Sequence, residues 1–464
     1  MTKDECNEAD GCFSTACYTI SASRMLLFFI SVLALWCGVV HAQDSSAQRA
    51  VFTSSPNPVG SGARAIGMGG AFIAVADDAT AASWNPAGLT QLRKPEFSFA
   101  YSYFRRREDF RVSDHPEATG SSVVSNDDLN YLSIAYPFKL FQRNMIVSLN
   151  YQLLYEFNKQ LNMFVKDTNS GYSLEQKLHY RQEGKLRTLS PAYAIQVTPR
   201  LSLGVTFNWW TDNLFWRNGW QTDSVVKGYT FSSRRSGTEF NLHYHERYYD
   251  FTGFNMNLGF LWHANRMVTI GGVLKTPFTA HVKHKQQNEI IRHYPDLTIT
   301  KDSHYLRENV RLRMPLSFGF GIALRFSDTF TMSLDAYHTQ WSKFIIDDSS
   351  GARRSPITGK FTRDSHVAGT TQVRLGAEYL FILTNTVIPV RGGLFYDPEP
   401  ADNHPADFWG ITLGTGASIK NAVFDIAYQY RQGNNVGKQA LTSIPGSEAD
   451  VFQHLVIASI IYHF

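Results

Sequence analysis

Period-two alternation of apolar and polar residues, sustained over stretches of about ten residues, most constrains what this chain can fold into. Leu201, Leu203, Val205, Phe207 and Trp209 alternate with Ser202, Gly204, Thr206 and Asn208. Leu316, Phe318, Phe320, Ile322, Leu324 and Phe326 alternate with Ser317, Gly319, Gly321, Ala323 and Arg325. Met145, Val147, Leu149, Tyr151, Leu153 and Tyr155 do the same against Ser148, Asn150, Gln152 and Glu156. Such a pattern puts the two sets on opposite faces of a strand. Strands of soluble sheets run to about 5–6 residues, whereas a tilted strand crossing a bilayer needs about 9–11.

About fourteen such stretches can be read, near 96–104, 129–138, 143–157, 187–198, 201–212, 251–263, 266–276, 315–326, 329–341, 372–383, 387–397, 408–419, 421–431 and 453–464. Their connections alternate in length. Short ones fall at 139–142, 199–200, 264–265, 327–328, 384–386 and 420–421. Long ones fall at 105–128, 158–186, 213–250, 277–314, 342–371, 398–407 and 432–452. Outer-membrane barrels sort their connections this way, with short periplasmic turns and long external loops. The expected fold is therefore all-β: a transmembrane antiparallel β-barrel of about 14 strands. Composition agrees, because 14% aromatic residues with only 18% charged ones suits alternating faces. A bundle of membrane helices would show several apolar runs of about 20 residues, whereas this chain has one, at its start.

The single long apolar run, Met25–Val40, follows Arg24 and ends near His41-Ala42. This predicts a secretory signal over residues 1–42, removed after Ala42; the alternative is an N-terminal membrane anchor. Cys6, Cys12, Cys17 and Cys37 all precede that point, so residues 43–464 hold no disulfide or thiolate metal site. The net charge of +4 becomes +6 without residues 1–42, which carry Lys3 and Arg24 against Asp4, Glu5, Glu8 and Asp10. That excess is too diffuse to suggest nucleic acid. At the other end, Val456, Ala458, Ile460, Tyr462 and Phe464 alternate up to a terminal aromatic. The series resembles the signal by which barrels engage their assembly machinery, with Tyr462 and Phe464 its aromatic members. An ordinary apolar last strand is the alternative.

Residues 43–95 do not read as spanning strands. Their centre, Gly60 to Leu92, is rich in Gly and Ala, suited to packing inside a bore. Gly67, Gly69 and Gly70 permit tight turns, Asp77-Asp78 precedes a short helix, and Asn85-Pro86 favours a turn. The motifs Gly62-Ala63-Arg64-Ala65-Ile66-Gly67-Met68-Gly69-Gly70-Ala71-Phe72 and Trp84-Asn85-Pro86-Ala87-Gly88-Leu89 resemble the plug of the outer-membrane long-chain fatty acid and aromatic hydrocarbon transporter family (FadL-like). Softer matches run through Leu375–Tyr379, Pro389–Asp397 and Phe318–Asp328. The resemblance implies a plug over 43–95, a barrel over 96–464, and passive uptake of hydrophobic molecules, foremost long-chain fatty acids. It implies that movement of the plug, with Asn85, Pro86 and Ala87 involved, opens a lateral path through the wall. The same residues, with Gly88, could equally just shape a turn.

Apolar residues at inward positions, Leu154, Leu455, Ile457 and Ile461, suit such cargo. The loop 213–250 opens with Leu214, Phe215 and Trp216 and contains Trp220, which could capture ligand or simply pack the loop. Lys275, Arg325, Asp335, Arg374, Glu378, Arg391 and Asp425 fall inward, where they should pair with each other and with the plug. His243 and His245 share a strand face, but solvated loop histidines are the simpler reading. No catalytic motif, metal site or cofactor site is expected. The partners expected are fatty acids or hydrocarbons, outer-membrane lipids and the assembly machinery. Two other roles remain open, a scaffold or shuttle for protein secretion or surface anchoring, and a general porin.

Overall fold

The computed structural model describes residues 60–113, 115–169, 172–232, 235–436 and 447–464. The expected signal over residues 1–42 lies outside them. The strands are β1 (Glu96–Val112), β2 (Gly120–Leu140), β3 (Arg143–Glu156), β4 (Lys159–Asn169), β5 (Tyr172–Gln196), β6 (Leu201–Trp210), β7 (Gly219–Ser232), β8 (Arg235–His263), β9 (Val268–Lys275) and β10 (Phe278–His293). They continue as β11 (Ile299–Met314), β12 (Ser317–Arg325), β13 (Phe330–Thr339), β14 (Ile345–Asp347), β15 (Arg353–Arg354), β16 (Thr370–Ile382), β17 (Thr386–Tyr396), β18 (Trp409–Ile419), β19 (Ala422–Val436) and β20 (Ser447–His463).

The wall is a 14-strand antiparallel barrel in the order β1-β2-β3-β5-β6-β8-β9-β12-β13-β16-β17-β18-β19-β20. It closes where β1 pairs with β20, from Glu96↔His463 to Val112↔Ser447. Closure pairs every neighbouring edge, which a bilayer demands of any sheet that spans it. Exposed Leu149, Phe320, Ile322, Leu334, Leu413 and Ile426 make its outer band apolar. Trp209, Phe254 and Trp409 ring one end. Trp262, Phe326, Tyr379, Phe381, Tyr462 and Phe464 ring the other, so the two aromatics of the expected assembly signal lie on the outside at the periplasmic rim.

Four expected loops turn out to be largely strand hairpins: 105–128, where β1 and β2 stay paired out to Phe110↔Gly120, and three that add a further sheet. The segments 158–186, 213–250 and 277–314 alternate with period two, but they lie beyond the length that spans a bilayer. They build an external sheet in the order β4-β5-β7-β8-β10-β11, in which β5 and β8 run on without a break from the wall. A second departure is in β3. Its register against β5 shifts between Leu153 and Tyr155. Tyr155, expected on the lipid face, is therefore turned inward and is buried.

The plug segment crosses the bore as α1 (Ala63–Gly67), α2 (Ala81–Trp84) and a 3₁₀ turn Pro86–Gln91. Its Ala and aromatic side chains pack against Ala100, Tyr131, Ala135, Ile146, Ala194, Ala427 and Ile457 of the wall. Ile457 and Leu455, expected to line an apolar path, instead pack the plug. Ile461 is buried too.

The wall's polarity yields a first prediction. Arginine at Phe320, midway along β12 and 58% exposed, should cost about 2–4 kcal/mol. At Leu203, near the periplasmic end of β6, it should cost less. Folding into lipid vesicles under urea would measure both, and equal costs would contradict the assigned depth. An inward control at Thr206 is not neutral, because its hydroxyl donates to Ala82 O of the plug at 2.8 Å.

Candidate functional site

The plug is held by backbone contacts that only glycine allows. Gly69 and Gly70 have φ of 69° and 73°, the left-handed region that other residues avoid. Facing the plug, the wall has glycines where its backbone comes closest. A Cβ on Gly376 would lie 2.1 Å from Met68 O, and one on Gly393 2.3 Å from Gly69 N. A Cβ on Gly204 would lie 2.3 Å from the carbonyl carbon of Pro86, and one on Gly259 2.1 Å from Asn85 Oδ1.

Asn85 is fully buried and uses both ends of its amide. Nδ2 donates to Ile73 O at 2.9 Å and to Phe260 O of the wall at 2.8 Å, while Oδ1 accepts from Ala87 N at 3.2 Å. Asn85, Pro86 and Ala87 thus sit against β6 and β8, while Gly88 packs on Ala76 within the plug. Gly67, Gly69 and Gly70 sit against β16, β17 and β18, where Thr412 Oγ1 accepts from Gly69 N and donates to Gly67 O. The two motifs singled out from sequence are two separate seats of one plug.

The inward charges are engaged as expected. Asp335 accepts from Ile73 N at 2.8 Å, and Arg374 donates to Gly69 O at 2.9 Å. Glu378 bridges Arg64 of the plug (2.8 Å) and Arg391 (2.6 Å), and Arg391 reaches Asp425 (2.6 Å). Lys275 is buried with its ammonium 5.5 Å from the centre of the Tyr337 ring. Arg325 departs from expectation, being exposed beyond the plug. From Arg374 the charges continue outward through Asp397, Arg431, Glu399, Arg106, Glu108 and Lys159 in steps of 2.7–3.5 Å.

The side of the bore formed by β3 to β13 is aromatic. Outward of the plug, Phe157 stacks on Trp220 (4.9 Å), Trp220 on Tyr248 (4.6 Å), and Tyr248 on His284 (4.4 Å). Tyr155, Trp210 and Phe278 form a second stack, and Leu312, Met314, Trp341 and Phe344 complete the apolar cluster, with Leu154 packed against it. His284 ends the first stack between two carboxylates, Nε2 at 2.9 Å from Glu246 Oε1 and Nδ1 at 2.9 Å from Glu308 Oε1. Burial alone would lower its pKa, but the two carboxylates outweigh it and raise it to about 9.

Next to this chamber the wall is interrupted. Pairing of β2 with β3 stops at Tyr131↔Gln152, while β2 continues outward on β1 alone. The β3 bulge lies at the same level. A cleft of about 790 Å³ opens here, lined by Val123–Asn126 of β2 on one side and by Asn158, Lys159, Gln182, Trp220 and Tyr248 on the other. Asp128 straps it, pairing with Lys185 at 2.7 Å and Arg187 at 3.1 Å across the gap. Trp220 and Tyr248 belong to both cleft and ring stack, so the cleft adjoins the aromatic cluster.

Of the four residues expected to capture ligand, Leu214 and Phe215 are exposed. Trp216 packs edge-on against Tyr151 at 5.0 Å, and Trp220 lies inside the ring stack. Sequence reasoning missed Phe157, Tyr248 and His284. Tyr248 and His284 alternate within segments read as loops, and Phe157 ends the stretch 143–157 just beyond the β3 bulge. His245 lies 2.6 Å from Asp223, and no group of His, Asp or Glu suited to a metal occurs among the described residues.

No curated protein sequence matches the chain. Among solved structures, it superposes on a FadL homologue from Pseudomonas aeruginosa at 14% identity with a TM-score of 0.56, covering 88% of this chain and 100% of that one. It also superposes on the toluene transporter TodX of Pseudomonas putida at 12% identity with a TM-score of 0.52, covering 86% and 97%. At such identities these likenesses speak to the fold alone. The model of a protein family described as outer membrane protein transport protein (OMPP1/FadL/TodX) matches residues 43–450. The chain therefore belongs to the OMPP1/FadL/TodX family and is a non-enzymatic outer-membrane channel for hydrophobic compounds.

Proposed function

We propose that the channel takes up long-chain fatty acids. The observation that carries this reading is the pairing of a basic cleft with an aromatic chamber. Lys159, Arg181, Lys185, Arg187, Arg217 and Arg247 line the cleft, against Glu183 and Asp212. A fatty acid is a carboxylate on an apolar chain. Its head suits the basic rim, and its tail suits the Trp220–Tyr248 side. Moving about 15 methylenes out of water favours such a chamber by roughly 12 kcal/mol at most. Asn85-Pro86-Ala87 then controls passage past the plug, not capture. A monoaromatic hydrocarbon is the second reading, favoured by the parallel ring stacks and by the toluene transporter among the structural neighbours.

Labelled oleate uptake by cells, with toluene as competitor, tests both readings. Asn85→Ala removes side-chain hydrogen bonds worth roughly 1 kcal/mol each, enough to unbalance a plug without unfolding a barrel. Uptake should fall severalfold in Asn85→Ala and Pro86→Ala, with surface abundance and oleate binding unchanged. Unchanged uptake by a correctly folded variant would refute the gating role. Saturable toluene uptake without oleate binding would favour the second reading.

A further inference from the structure

The outward face of β11, with the short strands β14 and β15 beside it, has a charge cluster that the transport path does not use. Arg311, Arg313 and Arg353 surround one carboxylate, Asp347. Arg313 donates to Asp347 Oδ2 through Nε at 2.8 Å and Nη2 at 2.6 Å. Arg353 Nε lies 3.5 Å from Oδ1 and Arg311 Nη2 4.0 Å from Oδ2. The Asp347 side chain is 4% exposed, whereas those of Arg311, Arg313 and Arg353 are 62%, 39% and 58% exposed. Three guanidinium groups on one carboxylate leave a local excess of positive charge directed outward.

Strand register fixes the depth of the cluster. Arg311 pairs with His281, and His281 with Thr252, two residues along β8 from Phe254. Phe254 packs on Trp209 in the aromatic ring that marks the outer edge of the apolar band. The arginines therefore stand at headgroup height. Below them the exposed Phe320 and Leu334 of β12 and β13 offer an apolar surface for acyl chains.

We propose that Arg311, Arg313 and Arg353, gathered by Asp347 just above the apolar band, bind the phosphate groups of an outer-leaflet glycolipid. The outer leaflet of a bacterial outer membrane is built from phosphorylated glycolipid, so phosphate is the anion met at this depth. Guanidinium is the side chain best matched to it, since its planar fork makes paired, charge-assisted hydrogen bonds to phosphate oxygens. Asp347 keeps three mutually repelling cations together while leaving their outer N–H groups exposed. The acyl chains of the same lipid would lie along β12 and β13, which distinguishes a lipid from a free anion.

The test uses the full-length barrel in mild detergent, with binding of lipid A measured by native mass spectrometry. The probes are lipid A, its dephosphorylated form and inorganic phosphate. The unmodified protein should hold lipid A about tenfold more tightly than the dephosphorylated lipid. The Arg311→Gln/Arg353→Gln double variant, which keeps the Arg313–Asp347 pair, should lose most of that preference while retaining heat-modifiable barrel mobility. Arg311→Lys/Arg353→Lys should recover part of it. Equal binding of the two lipids, or full preference in the Gln variant, would overturn the proposal. So would displacement of lipid A by millimolar inorganic phosphate, which would mark a free-anion site.

Discussion

A valine at Gly259 should turn a closed barrel into a conducting one. The first side-chain carbon at that position would lie 2.1 Å from Asn85 Oδ1 and 2.8 Å from the Pro86 ring. Neither atom can retreat without loss. The Asn85 amide is committed to Ile73 O and Phe260 O, and the proline is fixed by its place in the 3₁₀ turn. Residues 85–88 must therefore leave the wall, exposing donors and acceptors that cost about 1–3 kcal/mol each if left unmade. The neighbouring outward residues, Leu258 and Phe260, still face lipid, so the barrel should assemble. Planar-bilayer conductance and entry of a small sugar into proteoliposomes should both rise well above those of the unmodified protein. Gly392→Ala is the matched control, because its new carbon would meet only Thr412 O, at 3.9 Å. A folded Gly259→Val barrel that stays closed would show that the Asn85 seat does not seal the bore.

Removing the His284 imidazole should release the external hairpin β10–β11. In His284→Ala, Glu246 and Glu308 are left without the cation between them. Stranding one side of a buried ion pair costs about 3–5 kcal/mol. The unmodified protein should show the same dependence through pH. The His284 pKa is raised from its ordinary value to about 9, so its contribution is complete below about 6.5 and is lost as pH rises through 9. A shift of that size corresponds to roughly 3 kcal/mol. Glu308 moves the other way. Its hydrogen bond from His284 leads the causes, joined by Ser349, and together they outweigh burial and lower its pKa to about 2. Its contribution is complete above about 4.5 and is lost as pH falls towards 2. Protection of the 278–314 hairpin from protease should therefore be greatest between about pH 4.5 and 6.5 and decline on both sides. His284→Ala should be cleaved readily throughout. A flat pH profile, or equal protection of the variant, would show that the clamp does not hold the hairpin.

The barrel was legible in the sequence because its signal is local. Each spanning strand shows two faces within ten residues, and turn lengths sort by parity. The plug was legible for a similar reason, since Gly67, Gly69, Gly70 and Asn85-Pro86 announce backbone shapes on their own. What was hidden depends on register. Trp220 meets Tyr248, and Tyr248 meets His284, only because β7, β8 and β10 pair as they do. Residues 28 and 36 positions apart carry no shared local pattern. The β3 bulge was invisible for the opposite reason. One extra residue at Leu153–Tyr155 changes which face Tyr155 takes without changing what the segment looks like. Gly204 and Gly259 read as small residues on a polar face, and their purpose emerged once Asn85 and Pro86 were found against them.

The seam between the first and last strands also dictates an order of events. β1 and β20 join along their whole length, and Phe464 N donates to Pro95 O, on the residue that links plug to wall. These partners are nearly the full chain apart, so their pairing carries a large loop-closure cost and should come late. Until then the nascent sheet is an open trough, with the plug attached to one rim. A segment that bonds to β6, β8, β13, β16 and β18 is most easily laid down while that trough is open. Enclosure then traps it, much as a lid is fitted before a cask is hooped. Assembly that zips β20 to β1 too early would leave residues 60–95 outside the periplasmic mouth of a barrel that is otherwise complete.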